Sequence, residues 1–164
     1  MLALGIDPGS AICGYGFIEN LRGQIIVKSY GVITTSPNAL MQDRLLKIYN
    51  ELDALIKTYK PQIMGVEKLF FGKNSTTAIT VAQSRGIVLL AAAQNNLDLI
   101  EITPNEVKQS ITGYGAATKE QVIYMVTKIL NLSEPPTPDD AADALAIALA
   151  ASYEADSFAR RNLL

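Results

Sequence analysis

The first third of the chain alternates short apolar runs with turn residues, a pattern that predicts strands. Residues 2–6 are apolar and end at Asp7-Pro8-Gly9, a turn sequence that typically follows a buried strand. Two further apolar runs, Cys13 to Glu19 and Ile25 to Ile33, flank a break that contains Gly23. Because this spacing fits a hairpin with a short loop, the region is predicted to be a three-stranded antiparallel meander.

The middle of the chain alternates between helical and strand-like patterns. From Leu45 to Tyr59 the apolar positions recur every three to four residues, which predicts an amphipathic helix that Pro61 ends. Three elements are predicted after it: a strand at 63–66 that ends in Glu67, a helix of unusually small residues at 76–95, and a strand at 97–102. Since strands that alternate with helices usually pair in parallel, these strands are expected to be parallel.

Three more helices are predicted towards the C-terminus. Thr103-Pro104-Asn105-Glu106 has the cap, proline and acid of a helix start, and Thr118 begins another. A proline-rich linker at 133–138 leads into an Ala-rich helix from about Asp139 to Tyr153. The prediction is an α/β fold with a five-stranded mixed sheet, three antiparallel strands followed by parallel strands, flanked by helices. Residues 1–155 should form one domain, and 156–164 a flexible C-terminal tail.

The amino-acid composition excludes several kinds of catalytic site. The chain has 164 residues, one Cys, no His, and 14 Lys and Arg against 16 Asp and Glu, a net charge of −2. Without His, the Ser-His-Asp and Cys-His mechanisms and His-ligated metals are excluded, so carboxylates, hydroxyls and lysines must perform any catalysis. The N-terminus lacks a basic leader segment and the longest apolar stretch, 86–93, is far shorter than the roughly 20 residues of a membrane span, so we expect a cytoplasmic protein without a membrane partner.

Four acids occupy positions where a strand end or a buried helix face would hold them. They are Asp7, Glu67, Asp140 and Asp143. Asp7 could instead be a turn former, Glu67 a solvated strand end, and Asp140 a helix-start acid with Thr137 as its cap. Asp143 is harder to explain in this way, because an unpaired carboxylate among alanines would be costly.

A shared location for these acids would create a metal site. If the strands that end in Asp7 and Glu67 are parallel neighbours, both carboxylates emerge at one sheet edge, and the last helix can bring the other two against them. Hard oxygen ligands without His or Cys favour Mg²⁺ or Mn²⁺ over zinc. Two such ions would balance four carboxylates and could clamp the attacking and leaving oxygens of a phosphodiester. Scattered structural acids remain an equal alternative on spacing alone.

Three segments together resemble the RuvC family of Holliday-junction resolvases. They are Gly5-Ile6-Asp7-Pro8-Gly9-Ser10, Val66-Glu67-Lys68-Leu69-Phe70-Phe71 and Asp140-Ala141-Ala142-Asp143, in an order that extends from about Met1 to Ala151. The resemblance implies a ribonuclease H-like fold, a homodimer, and Mg²⁺-dependent symmetric nicking of two strands of four-way junction DNA, with 5′-phosphate products. It implies Asp7, Glu67, Asp140 and Asp143 as ligands of two Mg²⁺ ions per site, for which Mn²⁺ could substitute. Asp139 falls outside the pattern, and the RuvA–RuvB branch-migration complex is a further implied partner.

The same resemblance suggests roles for basic and aromatic residues. Lys108 and Lys119 match lysines that the family places near the scissile phosphate, with solvated helix faces as the alternative. Phe70 is the candidate for stacking on bases, although core aromatics at Phe70 and Phe71 are also plausible. Lys73, Asn74 and Ser75, just before the helix at 76–95, could hold a phosphate at its N-terminus. That helix is assigned to the dimer interface, although burial within the monomer would give the same composition.

Three other functions stay open, and the net charge bears on them. The rivals are a related nuclease acting on RNA or other branched DNA, a junction-binding protein without catalysis, and an actin-like kinase, for which 164 residues are too few. The net charge of −2, taken alone, argues against DNA binding. Without the four proposed ligands, however, the net charge becomes +2, and residues 57–119 contain seven Lys and Arg against four acids. We therefore expect DNA binding that weakens steeply with salt.

Overall fold

The computed structural model describes residues 1–21, 23–68 and 75–161, apart from the side chains of 75–77 and 159–161. Within these residues five strands and five helices follow one another. They are β1 (Leu2–Asp7), β2 (Ile12–Leu21), β3 (Gln24–Thr34), α1 (Met41–Tyr59), β4 (Ile63–Glu67), α2 (Ser75–Gln94), β5 (Asp98–Ile102), α3 (Pro104–Thr112), α4 (Lys119–Ile129) and α5 (Asp139–Arg161). The predicted alternation of strands and helices is confirmed.

The five strands form one mixed sheet in the order β3-β2-β1-β4-β5. Strands β1, β2 and β3 pair antiparallel, whereas β4 pairs parallel with β1, and β5 pairs parallel with β4. Ile6 lies opposite Val66, so the next residue of each strand is an acid, Asp7 in β1 and Glu67 in β4. The predicted meander and the predicted parallel neighbours are both confirmed, and this pairing brings the two carboxylates to the same edge.

Helices cover both faces of the sheet, and each face has its own apolar core. On one face α3, α4 and α5 pack around Ala3, Ile18 and Ile102. On the other face α1 and α2 pack around residues such as Leu4 and Ile6. Because successive side chains of a strand point to opposite faces, β1 contributes to both cores and is buried from Leu2 to Ile6. Its last residue, Asp7, is therefore held by a rigid strand.

Helix α5 lies unusually close to the strands because glycines face it. A Cβ added to Gly5 would lie 2.1 Å from the carbonyl oxygen of Ala144, and one added to Gly14 would lie 2.0 Å from the carbonyl oxygen of Asp140. Side chains at these positions would therefore push the helix away from the sheet. Ala144 is itself fully buried. The first turns of α5, which contain the Asp140 and Asp143 carboxylates, are thus held against the ends of β1 and β2.

Two element boundaries differ from the prediction. Helix α1 begins at Met41 rather than near Leu45, with Leu40 at its N-cap and no side-chain capping bond there. Helix α5 continues past Tyr153 to Arg161, so the assignment of 156–161 to a tail is wrong. Its extension is tied to β2 by Asn20, whose side-chain nitrogen donates to Ser152 Oγ at 3.2 Å and to Asp156 Oδ2 at 2.8 Å. Residues 162–164 lie outside the described residues.

The remaining predicted helix starts agree with the structure. Thr103 and Thr118 both cap their helices with reciprocal hydrogen bonds, to Glu106 and Gln121 respectively. These two capping boxes set where α3 and α4 begin, and therefore where the lysines of these helices lie. Among the described residues, no helix has the length and apolarity needed to cross a membrane.

Candidate active site

The four predicted carboxylates come from three elements that meet at one end of the sheet. Asp7 ends β1 and Glu67 ends β4, while Asp140 and Asp143 lie in the first turns of α5. Asp7 is paired across the strands with Gly14, and the backbone of Asp140 passes directly over Gly14. The glycine in β2 therefore allows the start of α5 to approach the end of β1.

After burial, neighbouring carboxylates contribute to the raised pKa values of Asp7, Glu67 and Asp143, so these groups share one electrostatic environment. Burial, with the added repulsion of Asp143, Glu67 and Asp140, raises the pKa of Asp7 to about 7, against the opposing influence of Lys119. Burial and the charge of Asp143 raise the pKa of Glu67, although Lys108 lowers it. Burial likewise raises the pKa of Asp143, in spite of its hydrogen bond from Lys119. The cluster is therefore unfavourable when fully ionised unless positive charge is supplied.

Both predicted lysines face a cleft next to these acids. The cleft has a volume of about 290 Å³ and combines two acids and two lysines with apolar walls; its lining residues are Glu67, Asp143, Lys108, Lys119, Pro104, Val107, Val122, Ala146 and Ile147. Lys108 comes from α3 and Lys119 is the first residue of α4. Apolar walls lower the local dielectric and so strengthen charge interactions beside them. The arrangement can thus hold an anionic group between cations and carboxylates.

Lys119 joins two acids of α5 in a way that the sequence analysis did not predict. Its Nζ lies 3.0 Å from Asp143 Oδ2 and 3.2 Å from Asp139 Oδ2. Burial lowers the pKa of the Lys119 ammonium, but the two carboxylates outweigh burial and the pKa is raised. Asp139 lies in the first turn of α5, as predicted, and also binds this lysine. The spacing of four residues between the two acids signals a shared helix face, but no local pattern identifies their partner.

The donor set fits hard divalent ions. It consists of four carboxylates without a histidine or thiolate, and burial raises the pKa of three of them, so a nearby cation would stabilise their charged forms. Among the described residues, no three Asp, Glu or Cys side chains are gathered closely enough to coordinate one ion in this arrangement. The carboxylates therefore interact through their charges without forming a closed set of ligands. Lys119 bonds to one of them, Asp143.

Two nearby residues have structural roles. Arg85 donates from Nε to the carbonyl oxygen of Glu67 at 3.1 Å and also forms an ion pair with Glu101. It therefore joins the ends of β4 and β5. Cys13 is fully buried in β2. Burial, with smaller influences from Asp7 and Asp140, raises the pKa of its thiol to about 12 despite a backbone hydrogen bond from Gly9.

Several of the predicted DNA contacts fall in the segment before α2. Phe70, Phe71, Lys73 and Asn74 lie outside the described residues, and Ser75 begins α2 with its side chain outside them. Base stacking by Phe70 and phosphate binding by Lys73, Asn74 and Ser75 therefore remain predictions.

A mixed five-stranded sheet with a carboxylate cleft at the ends of β1 and β4 defines a nuclease of the ribonuclease H-like fold. A family model described as crossover junction endodeoxyribonuclease RuvC matches residues 3–151. Curated relatives of the same description include one from Syntrophomonas wolfei, 51% identical over 96% of this chain and 93% of its own length, and one from Fusobacterium nucleatum, 50% identical over 91% and 78%.

Structural comparison agrees with these matches. The structure described as T. thermophilus RuvC in complex with Holliday junction substrate has a TM-score of 0.89 and 34% identity to this chain, and the match covers 94% of each chain. The chain therefore belongs to the RuvC family of crossover junction endodeoxyribonucleases. It is a hydrolytic nuclease, and its family membership implies that it uses a divalent metal ion.

Proposed function

We propose that this protein resolves Holliday junctions by Mg²⁺-dependent nicking of two symmetrically placed strands, in DNA recombination and repair. The cleft is the observation that supports this function most strongly. In it the carboxylates of Glu67, at the end of β4, and Asp143, in α5, lie beside two lysines, Lys108 and Lys119. A phosphodiester is the substrate chemistry that needs both a divalent-ion site and adjacent cations. The junction complex of the Thermus relative supports the choice of substrate.

The acidic and the basic residues at this site have different proposed roles. Asp7, Glu67, Asp140 and Asp143 would hold two Mg²⁺ ions, for which Mn²⁺ could substitute. When bound, such ions lower the pKa of an attacking water and stabilise the departing oxygen, which leaves 5′-phosphate ends. Lys108 and Lys119 would bind the scissile phosphate and offset its negative charge. The apolar residues Val107 and Val122 line the cleft beside these groups.

A homodimer would supply the second active site. The outward face of α2 exposes Ile79 (60%) and Leu90 (48%), with Gly86 between them and no described atom within 4 Å of its Cβ position. The opposite face buries residues such as Val88 and Ala91 in the monomer. The small-residue helix is thus buried on one side and apolar but exposed on the other, which supports pairing with a second copy. A two-fold dimer would match the two-fold symmetry of a junction.

Light scattering can test the dimer. Leu90→Arg should convert a dimer into monomers, because it places a charge on the proposed interface. Tyr124→Arg, at an exposed position on α4 (60% against 48% for Leu90), is the control and should leave the dimer intact. A wild-type monomer at micromolar concentration would contradict the proposal.

Cleavage of an immobile four-way junction is the decisive experiment. We expect paired nicks in two opposing strands that require Mg²⁺, with far slower cutting of linear duplex, RNA–DNA hybrid or structured RNA. Comparable cutting of the hybrid or RNA would instead favour the related nuclease, and tight binding without cutting would favour a junction-binding protein. Junction affinity measured at several salt concentrations should fall steeply as salt increases.

Two finer proposals follow from family membership. The RuvA–RuvB branch-migration complex is proposed to deliver junctions to this nuclease, and the cytoplasm is proposed as its compartment. Adding purified RuvA and RuvB with ATP should increase cleavage of a mobile junction. An unchanged rate would contradict the partnership without affecting the assignment of the nuclease itself.

A further inference from the structure

A partly buried arginine lies beside the loop that follows Asp7. Arg44, in the first turns of α1, donates from Nε to Thr35 Oγ1 at 2.9 Å and from Nη2 to Ser10 Oγ at 3.3 Å. The Thr35 hydroxyl in turn donates to the carbonyl oxygen of Ser10 at 2.5 Å, and the Thr35 backbone N–H donates to the carbonyl oxygen of Ala11 at 2.9 Å. The guanidinium is therefore fixed to the turn that begins at the catalytic strand end.

The charge of Arg44 is not balanced by any acid in the described part of the chain. Its hydrogen-bond partners are two neutral hydroxyls, which orient the guanidinium without neutralising its charge. Other cations do have acidic partners: Arg85 pairs with Glu101, Lys28 with Glu19, Lys47 with Glu51, and Lys57 with Asp53. A partly desolvated cation with this surplus charge favours an anion from outside the chain.

The neighbourhood of Arg44 suits an oxyanion, and for the proposed DNA substrate that anion is a backbone phosphate. The turn itself, from Pro8 to Ala11, contains no basic side chain, so Arg44 is the cation fixed to it. Lys47, one turn further along α1, is occupied by Glu51 and by the carbonyl oxygen of Thr34. The planar guanidinium presents several donors in a fork that suits phosphate oxygens, and Nη1 makes no recorded contact within the described structure.

We propose that Arg44, oriented by Ser10 and Thr35, is a phosphate-binding subsite for the DNA strand as it leaves the active cleft. This inference rests on the proposed function, since it assigns the anion to a backbone phosphate close to the scissile one. The subsite would fix the register of the strand relative to Asp7. Arg44 is thus a positioning residue, separate from the carboxylates and lysines of the cleft.

Salt titration of junction binding tests this subsite without relying on cleavage. Affinity is measured in EDTA for wild type, Arg44→Met, Arg44→Lys and Lys57→Gln. Each lost phosphate contact should reduce the slope of log affinity against log salt by about 0.9. We expect Arg44→Met to show this reduction for every bound subunit, and Arg44→Lys to keep most of the slope. Lys57→Gln, an exposed cation on the same helix, should behave as wild type.

A second pair of variants separates orientation from charge. Ser10→Ala and Thr35→Val remove the hydroxyls that hold the guanidinium but leave its charge, so the salt slope should be unchanged while single-turnover cleavage slows about tenfold. An Arg44→Met slope equal to that of wild type would overturn the subsite, as would equal losses for Arg44→Met and Lys57→Gln. Thermal unfolding of each variant shows whether the protein has folded, and Arg44→Lys provides the charge-retaining comparison. Failure of the wild-type protein to bind or cut a junction would overturn the proposed function instead.

Discussion

The acids and the lysines at the cleft are held in place by different kinds of packing. The carboxylate side consists of Glu67 and Asp143, which line the cleft, and of the neighbouring Asp7 and Asp140; they lie on β1, β4 and α5, where the helix touches the strand backbones across glycines. The lysine side consists of Lys108 and Lys119 on α3 and α4, two short helices of 9 and 11 residues whose starts are set by capping boxes. One side depends on backbone contact between α5 and the sheet, and the other on two helices that begin at capping boxes and pack into the core through side chains such as Val107 and Val122.

The difference follows from the sign of the forces involved. Burial, together with repulsion between the carboxylates, raises the pKa of Asp7, so rigid packing must hold these groups together. Lysines are attracted to the same acids, so electrostatic attraction favours their position, and Lys119 bonds to Asp143 with 47% of its side chain exposed. The side that opposes electrostatic repulsion is therefore built into the sheet.

The largest effect should come from removing one carboxylate charge. Asp143→Asn should keep junction binding but lower the cleavage rate roughly a thousandfold, because metal-assisted charge stabilisation contributes several kcal/mol to such reactions. Single-turnover cleavage in Mg²⁺ and a gel-shift assay would measure the two properties. Asp98→Asn changes an exposed acid at the start of β5 and should retain wild-type cleavage. Full activity of Asp143→Asn would remove it from the metal ligands.

A smaller effect is expected on the lysine side. Lys119→Met and Lys108→Met should each lower single-turnover cleavage by about a hundredfold, the usual cost of one lost donor to a developing charge. Lys119→Met should also raise the pKa of Asp143 further, because it removes the ammonium that lowers it. Lys128→Met, at an exposed position further along α4, is the matched control. If either cleft variant cuts at the rate of this control, that lysine belongs to the solvated surface.

The packing beneath the carboxylate side can be tested through stability. Gly5→Ala places a Cβ 2.1 Å from the Ala144 carbonyl oxygen, so α5 must move, at a cost of about 3 kcal/mol. Gly115→Ala is the control, because the nearest atom to its Cβ position is 3.6 Å away. Urea unfolding should show a large loss for the first variant and little change for the second. Equal stabilities would mean that the close helix–sheet contact does not constrain the site.

The pH dependence of the metal-free protein provides a further test of the carboxylate side. The pKa of Asp7, about 7, lies above its usual value of 3.8, so between these values the folded protein retains a proton that the unfolded chain has lost. The free energy of unfolding should therefore increase as the pH falls through 7 and level off near pH 4. Because a ligand must be deprotonated, Mn²⁺ affinity measured by calorimetry should weaken up to tenfold per pH unit below about 7. Asp7→Asn should remove most of the stability change, and if it does not, another group is responsible.

Much of the fold and site could be predicted from local patterns. Turn residues, apolar periodicity and the Thr103 cap located the elements, and strand ends identified Asp7 and Glu67. Features that depend on distant partners could not be predicted in this way. The end of α5 depends on Asn20, 136 residues from Asp156, and the partner of Asp139 is a lysine on another helix. Gly5 is recognisable as a packing glycine only once α5 is seen against it.

The buried Cys13 has a practical consequence for studying this protein in solution. It is the only cysteine of the chain, it is fully buried, and its thiol has a pKa of about 12. Since the thiolate is the reactive form, Cys13 should resist maleimide reagents at neutral pH. The natural sequence therefore serves as a cysteine-free background. A cysteine placed at Lys57 would accept a single fluorophore per subunit for following junction binding in real time.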